Sequence, residues 1–123
     1  MDDRDTARML AWARIGIGSV LFLMPNRAAR MWTGRGQADF PTNMMMRGLG
    51  ARDVIIGAGL ATALESGRSA SSWLQASAAA DAADALGTLS SVGELGKLRA
   101  LGLFALEAGA AVLGLSLAES LDD

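Results

Sequence analysis

Six ionisable side chains sit inside segments that are otherwise apolar: Arg14, Arg52, Asp53, Asp81, Asp84 and Glu107. They constrain the fold more than any other feature, because a charge withdrawn from water must find a partner or be neutralised. The segments that carry them are long. The run MLAWARIGIGSVLFLM, broken only by Arg14, stops at Pro25, which lacks the amide hydrogen a continuing helix needs. Comparable runs follow from Met44 to Leu64, Ser72 to Ser91 and Leu98 to Leu121. They are separated by the turn signal Ser66-Gly67-Arg68-Ser69 and by a break from Gly93 to Lys97. No stretch alternates β-branched and polar residues with period 2, so strands are not expected. The pattern predicts one all-α domain over 123 residues, an antiparallel four-helix bundle. Its helices fall at about 7–24, 44–64, 72–91 and 98–121. Asn26 to Asn43, with three arginines, Pro41 and several glycines, reads as a loop with a short interfacial turn around Ala28 to Trp32.

Each predicted helix has about 18–22 residues, enough at about 1.5 Å per residue to cross a hydrocarbon layer about 30 Å thick. Interior glycines point the same way: Gly16 and Gly18, Gly57 and Gly59, Gly87, Gly109 and Gly114. In water each costs roughly 0.5–1 kcal/mol relative to alanine. In lipid, small residues let helix backbones approach, and Gly57/Ala61 and Ala110/Gly114/Ala118 form such ridges. Trp12, Trp32 and Trp73 fall near predicted helix ends, where indole rings favour the lipid–water boundary. The acidic start, Met1 to Arg8, does not suit a signal peptide. The expectation is a four-span, multi-pass protein of the cell membrane, with lipid as a partner and homo-oligomers formed through the small-residue faces. Arg27, Arg30, Arg35, Arg47, Lys97 and Arg99 outnumber Arg4, Arg8 and Arg68, which puts the termini outside. The opposing reading is a soluble helical interaction module. The mean hydropathy of only +0.30 and the alanine-rich third helix speak for it.

At membrane depth the ionisable residues should face inward and pair. On the third helix Ser77, Asp81, Asp84, Thr88 and Ser91 follow a 4-3-4-3 spacing that places them on one face. Asp53 shares a stripe with Gly57 and Ala61, with Arg52 beside it, and Glu107 aligns with Ala110 and Gly114. Two arginines oppose four carboxyl groups. Three routes restore the balance: Arg47 joins the cluster, a cation binds, or one or two of the acids stay protonated.

Composition removes other chemistry. With no Cys, His or Tyr, no Ser-His-Asp or Cys-His nucleophile can be assembled, and a zinc site would rest on carboxylates alone. A net charge of −2 and a pI of about 5.0 do not point to nucleic acid. Gly48-x-Gly50 follows no strand and is not a dinucleotide loop. Asp81 and Asp84 form a DxxD without further ligand motifs, so no metal or cofactor is expected. Met44-Met45-Met46 with Phe40, and Lys97 with Arg99, read as interfacial anchors.

Arg47-Gly48-Leu49-Gly50-Ala51-Arg52-Asp53 with Gly57, together with the embedded Arg14 and terminal Met24-Pro25 of the first helix, resembles small DoxX-like bacterial membrane proteins. The resemblance implies a four-span integral membrane protein. Some of the wider group look like redox-partner subunits, which usually carry cysteines that this chain lacks. Others are similar to membrane sterol isomerases that use intramembrane acids. The functional expectation is an Arg–carboxylate cluster that binds a small apolar molecule and acts on it by general acid–base chemistry: isomerisation, epoxide opening or cyclisation. Asp81 or Asp84 would be the base, Glu107 the proton donor and Arg52 with Asp53 the orienting pair. Arg14, Ser77 and Thr88 would line the ligand site. The alternative is a non-catalytic helper subunit or a proton-coupled carrier.

Overall fold

Asp2 and Asp39 open the two helices that build one half of the molecule. In the computed structural model, which describes residues 1–36 and 38–122, the Asp2 side chain accepts from the Asp5 amide at 2.7 Å and starts α1, Asp3–Leu23. Met24 then turns the chain, and Pro25 occupies the first turn of a short α2, Pro25–Thr33, where its missing amide is no loss. Gly34, at φ 72°, ends α2 in the left-handed conformation that glycine adopts without strain. Asp39 accepts from the Thr42 amide at 2.9 Å and starts α3, Phe40–Glu65. The Thr42 hydroxyl and amide hold the exposed Asp39 carboxyl below its ordinary pKa. α4 spans Ser71–Ser90, α5 Val92–Leu95 and α6 Lys97–Ser120.

The described residues thus form six helices and no strand, where the sequence pattern led to four helices. The two additions are short. α2 occupies the stretch expected as loop, because Pro25 restarts a helix as readily as it stops one. α5 is a single turn in the predicted break.

Packing divides the long helices into two antiparallel pairs. α1 lies against α3 closely enough that Gly18 and Gly50 meet backbone to backbone, with Gly57 against the Ala11 carbonyl. α4 lies against α6, with Gly114 over Leu74 and Ala78. At one end the pairs share an apolar core that includes Ala7, Leu60, Leu64, Leu74 and Leu117. At the other, Leu21, Ala28, Ala29 and Met46 form a second core under α2, with Trp32 and Leu49 against it. Arg99, near the start of α6, donates to the Met31 carbonyl at 2.8 Å and so ties α6 to the end of α2.

Between these cores the usual polarity of a soluble domain is reversed. Arg14, Asp53, Asp81 and Glu107 are buried with Ser77 and Thr88. Ile17, Ile55, Leu86, Leu106, Val112 and Leu115 are exposed. Among the described residues two helices, α1 and α6, are long and apolar enough to cross a membrane by length and composition. Trp12 lies nearer the middle of α1 than its end, because the helix begins at Asp3 rather than near residue 7. Trp32 and Trp73 do sit near ends, of α2 and α4.

Candidate functional site

Arg14 is 6% exposed and joins three helices. From α1 its Nη1 donates to Asp53 Oδ1 on α3 at 2.8 Å, and its Nε donates to Ser77 Oγ on α4 at 2.6 Å. Its Nη2 donates to the Ser77 carbonyl at 3.0 Å and lies 2.5 Å from Asp81 Oδ2. The last contact is an ion pair by distance, without the alignment of a hydrogen bond. Four positions along α4 separate Ser77 from Asp81, so one helical turn presents both to the same guanidinium.

Arg52, less deeply buried, grips Asp84 with two bonds: Nη1 to Oδ1 at 3.0 Å and Nη2 to Oδ2 at 2.8 Å. This is the bidentate geometry that suits a planar guanidinium. The same Nη2 donates to Asp53 Oδ1 at 3.2 Å, so one Asp53 oxygen serves both arginines. The result is a chain of alternating charge: Asp81, Arg14, Asp53, Arg52, Asp84. Asp81 and Asp84, paired in sequence as DxxD, are directed to different arginines. Among the described residues no group of three or more carboxylates converges as a metal site would require.

Glu107 stands outside this chain. Thr88 Oγ1 donates to its Oε1 at 2.5 Å. Its Oε2 is buried and has no hydrogen-bond partner among the described residues. Arg47 does not restore the balance: it is exposed and donates to the Phe22 carbonyl at 3.3 Å, because its position on α3 faces outward. That removes the first of the three routes to neutrality. Two arginines therefore face four buried or half-buried acids.

Two cavities meet at Glu107. One, of about 580 Å³, opens between α2, α3, α4 and α6, with Met45, Leu49, Asp84 and Thr88 in its wall. The other, also about 580 Å³, is a groove between α1, α2 and α6, lined by Ile17, Val20, Met31 and Leu106. Glu107 and Trp32 line both.

All eight residues singled out in the sequence fall in one connected region, through the contacts of Arg14, Arg52 and Asp53 at one end and Thr88 with Glu107 at the other. Trp32 was not foreseen there. Its only sequence signal is the amphipathic stretch Ala28 to Trp32, which α2 folds back over α1 and α3. Chemically, Asp84 and Asp53 are held as ion-pair acceptors. Asp81 is ion-paired to Arg14 without a hydrogen bond, and Glu107 is the buried carboxyl with no arginine beside it, able to give, take or bind a proton.

No protein-family model, curated protein or solved structure matches this chain.

Proposed function

We propose that the chain is a small integral membrane protein, in which the four long helices form a DoxX-like bundle and the cavities at Glu107 hold a small apolar molecule. The observation that carries this reading is that Glu107, whose buried Oε2 has no partner among the described residues, lines both cavities. A polar atom so placed costs stability unless something completes it. The reversed polarity supports the membrane half of the proposal. Leu106, on the turn of α6 beside Glu107, is 72% exposed, while Glu107 itself is 7% exposed. In lipid an exposed leucine costs nothing and an acid is better placed inward than outward; in water the reverse arrangement is preferred.

For a bound molecule with a transferable proton, Glu107 is the group that exchanges it, and Asp84, gripped by Arg52, lies in the wall of the same cavity. Arg52 and Asp53 fix Asp84, and Arg14 with Ser77 and Asp81 fixes Asp53 in turn. The ionic chain then positions the reacting group while Glu107 makes the contact.

Membrane fractionation followed by extraction of the purified protein tests both halves. Release from membranes should require detergent, and mass spectrometry of the extract should find a small apolar molecule that a Glu107→Leu variant retains poorly. A wild-type chain recovered in the aqueous fraction without detergent, or one that carries nothing, would refute the corresponding half.

A further inference from the structure

The charge imbalance at Glu107 and the two cavities it joins point to one kind of ligand. Asp53, Asp81 and Asp84 are all engaged by Arg14 or Arg52, which leaves Glu107 as the carboxyl group with no cation beside it. At the mouth of the first cavity the exposed Arg35 donates to the Glu94 backbone carbonyl at 3.3 Å and makes no ion pair with Glu107 among the described residues. A proton on Oε1, donated to the Thr88 hydroxyl, would cancel the charge and still leave Oε2 without a donor. A metal ion would need several oxygen ligands, and the neighbouring Asp84 oxygens already accept from Arg52. An organic cation needs less: one carboxylate, apolar walls and an aromatic face. Glu107, the groove of Ile17, Val20, Met31 and Leu106, and Trp32 supply these.

We infer that Glu107 is the counter-ion for a lipophilic organic cation, an amine or onium whose charge lies beside the Glu107 carboxyl and whose apolar groups lie in the α1–α2–α6 groove. The inference rests on the ligand site proposed above and names its substrate class. Trp32, on α2, lines both cavities together with Glu107 and is the aromatic residue available to the cation.

The test uses the full chain in detergent micelles and two probes, tetraphenylphosphonium and the neutral triphenylphosphine oxide, with binding followed by equilibrium dialysis. The phosphonium should bind the wild type at least about tenfold more tightly than the oxide. Glu107→Gln should erase that preference by weakening the phosphonium about tenfold while leaving the oxide within about twofold. Gly16→Phe should weaken both probes: Gly16 lines the groove, and a Cβ there meets nothing within 4 Å, so the ring enters the cavity without disturbing the helix contacts. Equal binding of the two probes by the wild type would overturn the cation assignment and leave an apolar ligand site standing. So would a folded Glu107→Gln that keeps its phosphonium affinity. Binding of neither probe would remove the site and this inference together. Should Glu107→Gln not fold, the wild-type preference and its sensitivity to Gly16→Phe decide the matter alone.

Discussion

Gly18 and Gly50 meet across α1 and α3 so that each carbonyl oxygen fills the space a side chain on the other would need. A Cβ built on Gly18 would lie 2.5 Å from the Gly50 oxygen and 2.9 Å from the Val54 amide nitrogen. This approach sets the distance between the helices one turn from Arg14 and Asp53. Substituting Gly50→Val should cost about 1–3 kcal/mol, the usual penalty for overpacking, and should weaken the Arg14–Asp53 contact as the helices part. Gly16→Ala, which faces open space, should cost nothing measurable. Unfolding in mixed micelles, followed by circular dichroism, compares the two. Equal stabilities would mean that α1 and α3 do not approach in this way.

Arg14 holds the ionic chain together, and its removal leaves Asp81 without a cation and Asp53 with Arg52 alone. Arg14→Met should therefore destabilise by about 3–5 kcal/mol, the range for breaking a buried pair from one side. Adding Asp81→Asn should recover part of that loss, since it removes the stranded charge. The same micelle unfolding assay gives the double-mutant cycle. Strictly additive losses would show that Arg14 and Asp81 do not interact.

Thr88 and Glu107 offer a finer probe. Thr88→Val keeps the shape of the side chain and removes the hydroxyl that donates to Oε1, leaving both Glu107 oxygens without a partner. The expected cost is about 1–3 kcal/mol, and Thr88→Ser should restore most of it. If Val and Ser variants are equally stable, the Thr88 hydroxyl does not carry the Glu107 carboxyl.

Much of this site was readable because helical periodicity converts spacing into position. The intervals between Ser77, Asp81, Asp84 and Thr88 place all four on the inner face of α4, and among the described residues Arg14 on α1 and Arg52 on α3 are the cations that pair with its acids. Which arginine takes which acid was not readable. That depends on the stagger of α1 against α3, which Gly18 and Gly50 fix by a contact distant in sequence. Arg47 shows the same limit: its neighbours in sequence suggest a cluster member, while its turn of α3 faces outward. Nor could α2 be foreseen. Pro25 is a stop signal for the helix before it and a favourable first residue for the helix after it, and only the burial of Ala28 and Ala29 against Leu21 and Met46 decides for the second.

The outer surface provides the broadest test. Ile55 lies midway along α3 on the face away from Asp53 and is 62% exposed. If lipid covers that face, Ile55→Lys places a charge at membrane depth, at a cost of about 2.5–3.5 kcal/mol on insertion scales. If water covers it, the change should fall within about 0.5 kcal/mol, like most surface substitutions. Expression in a membrane-bearing host, with the fraction recovered in the membrane pellet and the stability in micelles both measured, separates the cases. Lipid predicts a reduced pellet fraction and a lower melting temperature for Ile55→Lys, with Ser72→Lys, on the exposed first turn of α4, as the tolerated control. An Ile55→Lys protein that is folded, stable and more soluble than the wild type would mean that water bathes the apolar exterior. The buried arginines and acids would then be a structural ion network in a soluble helical domain.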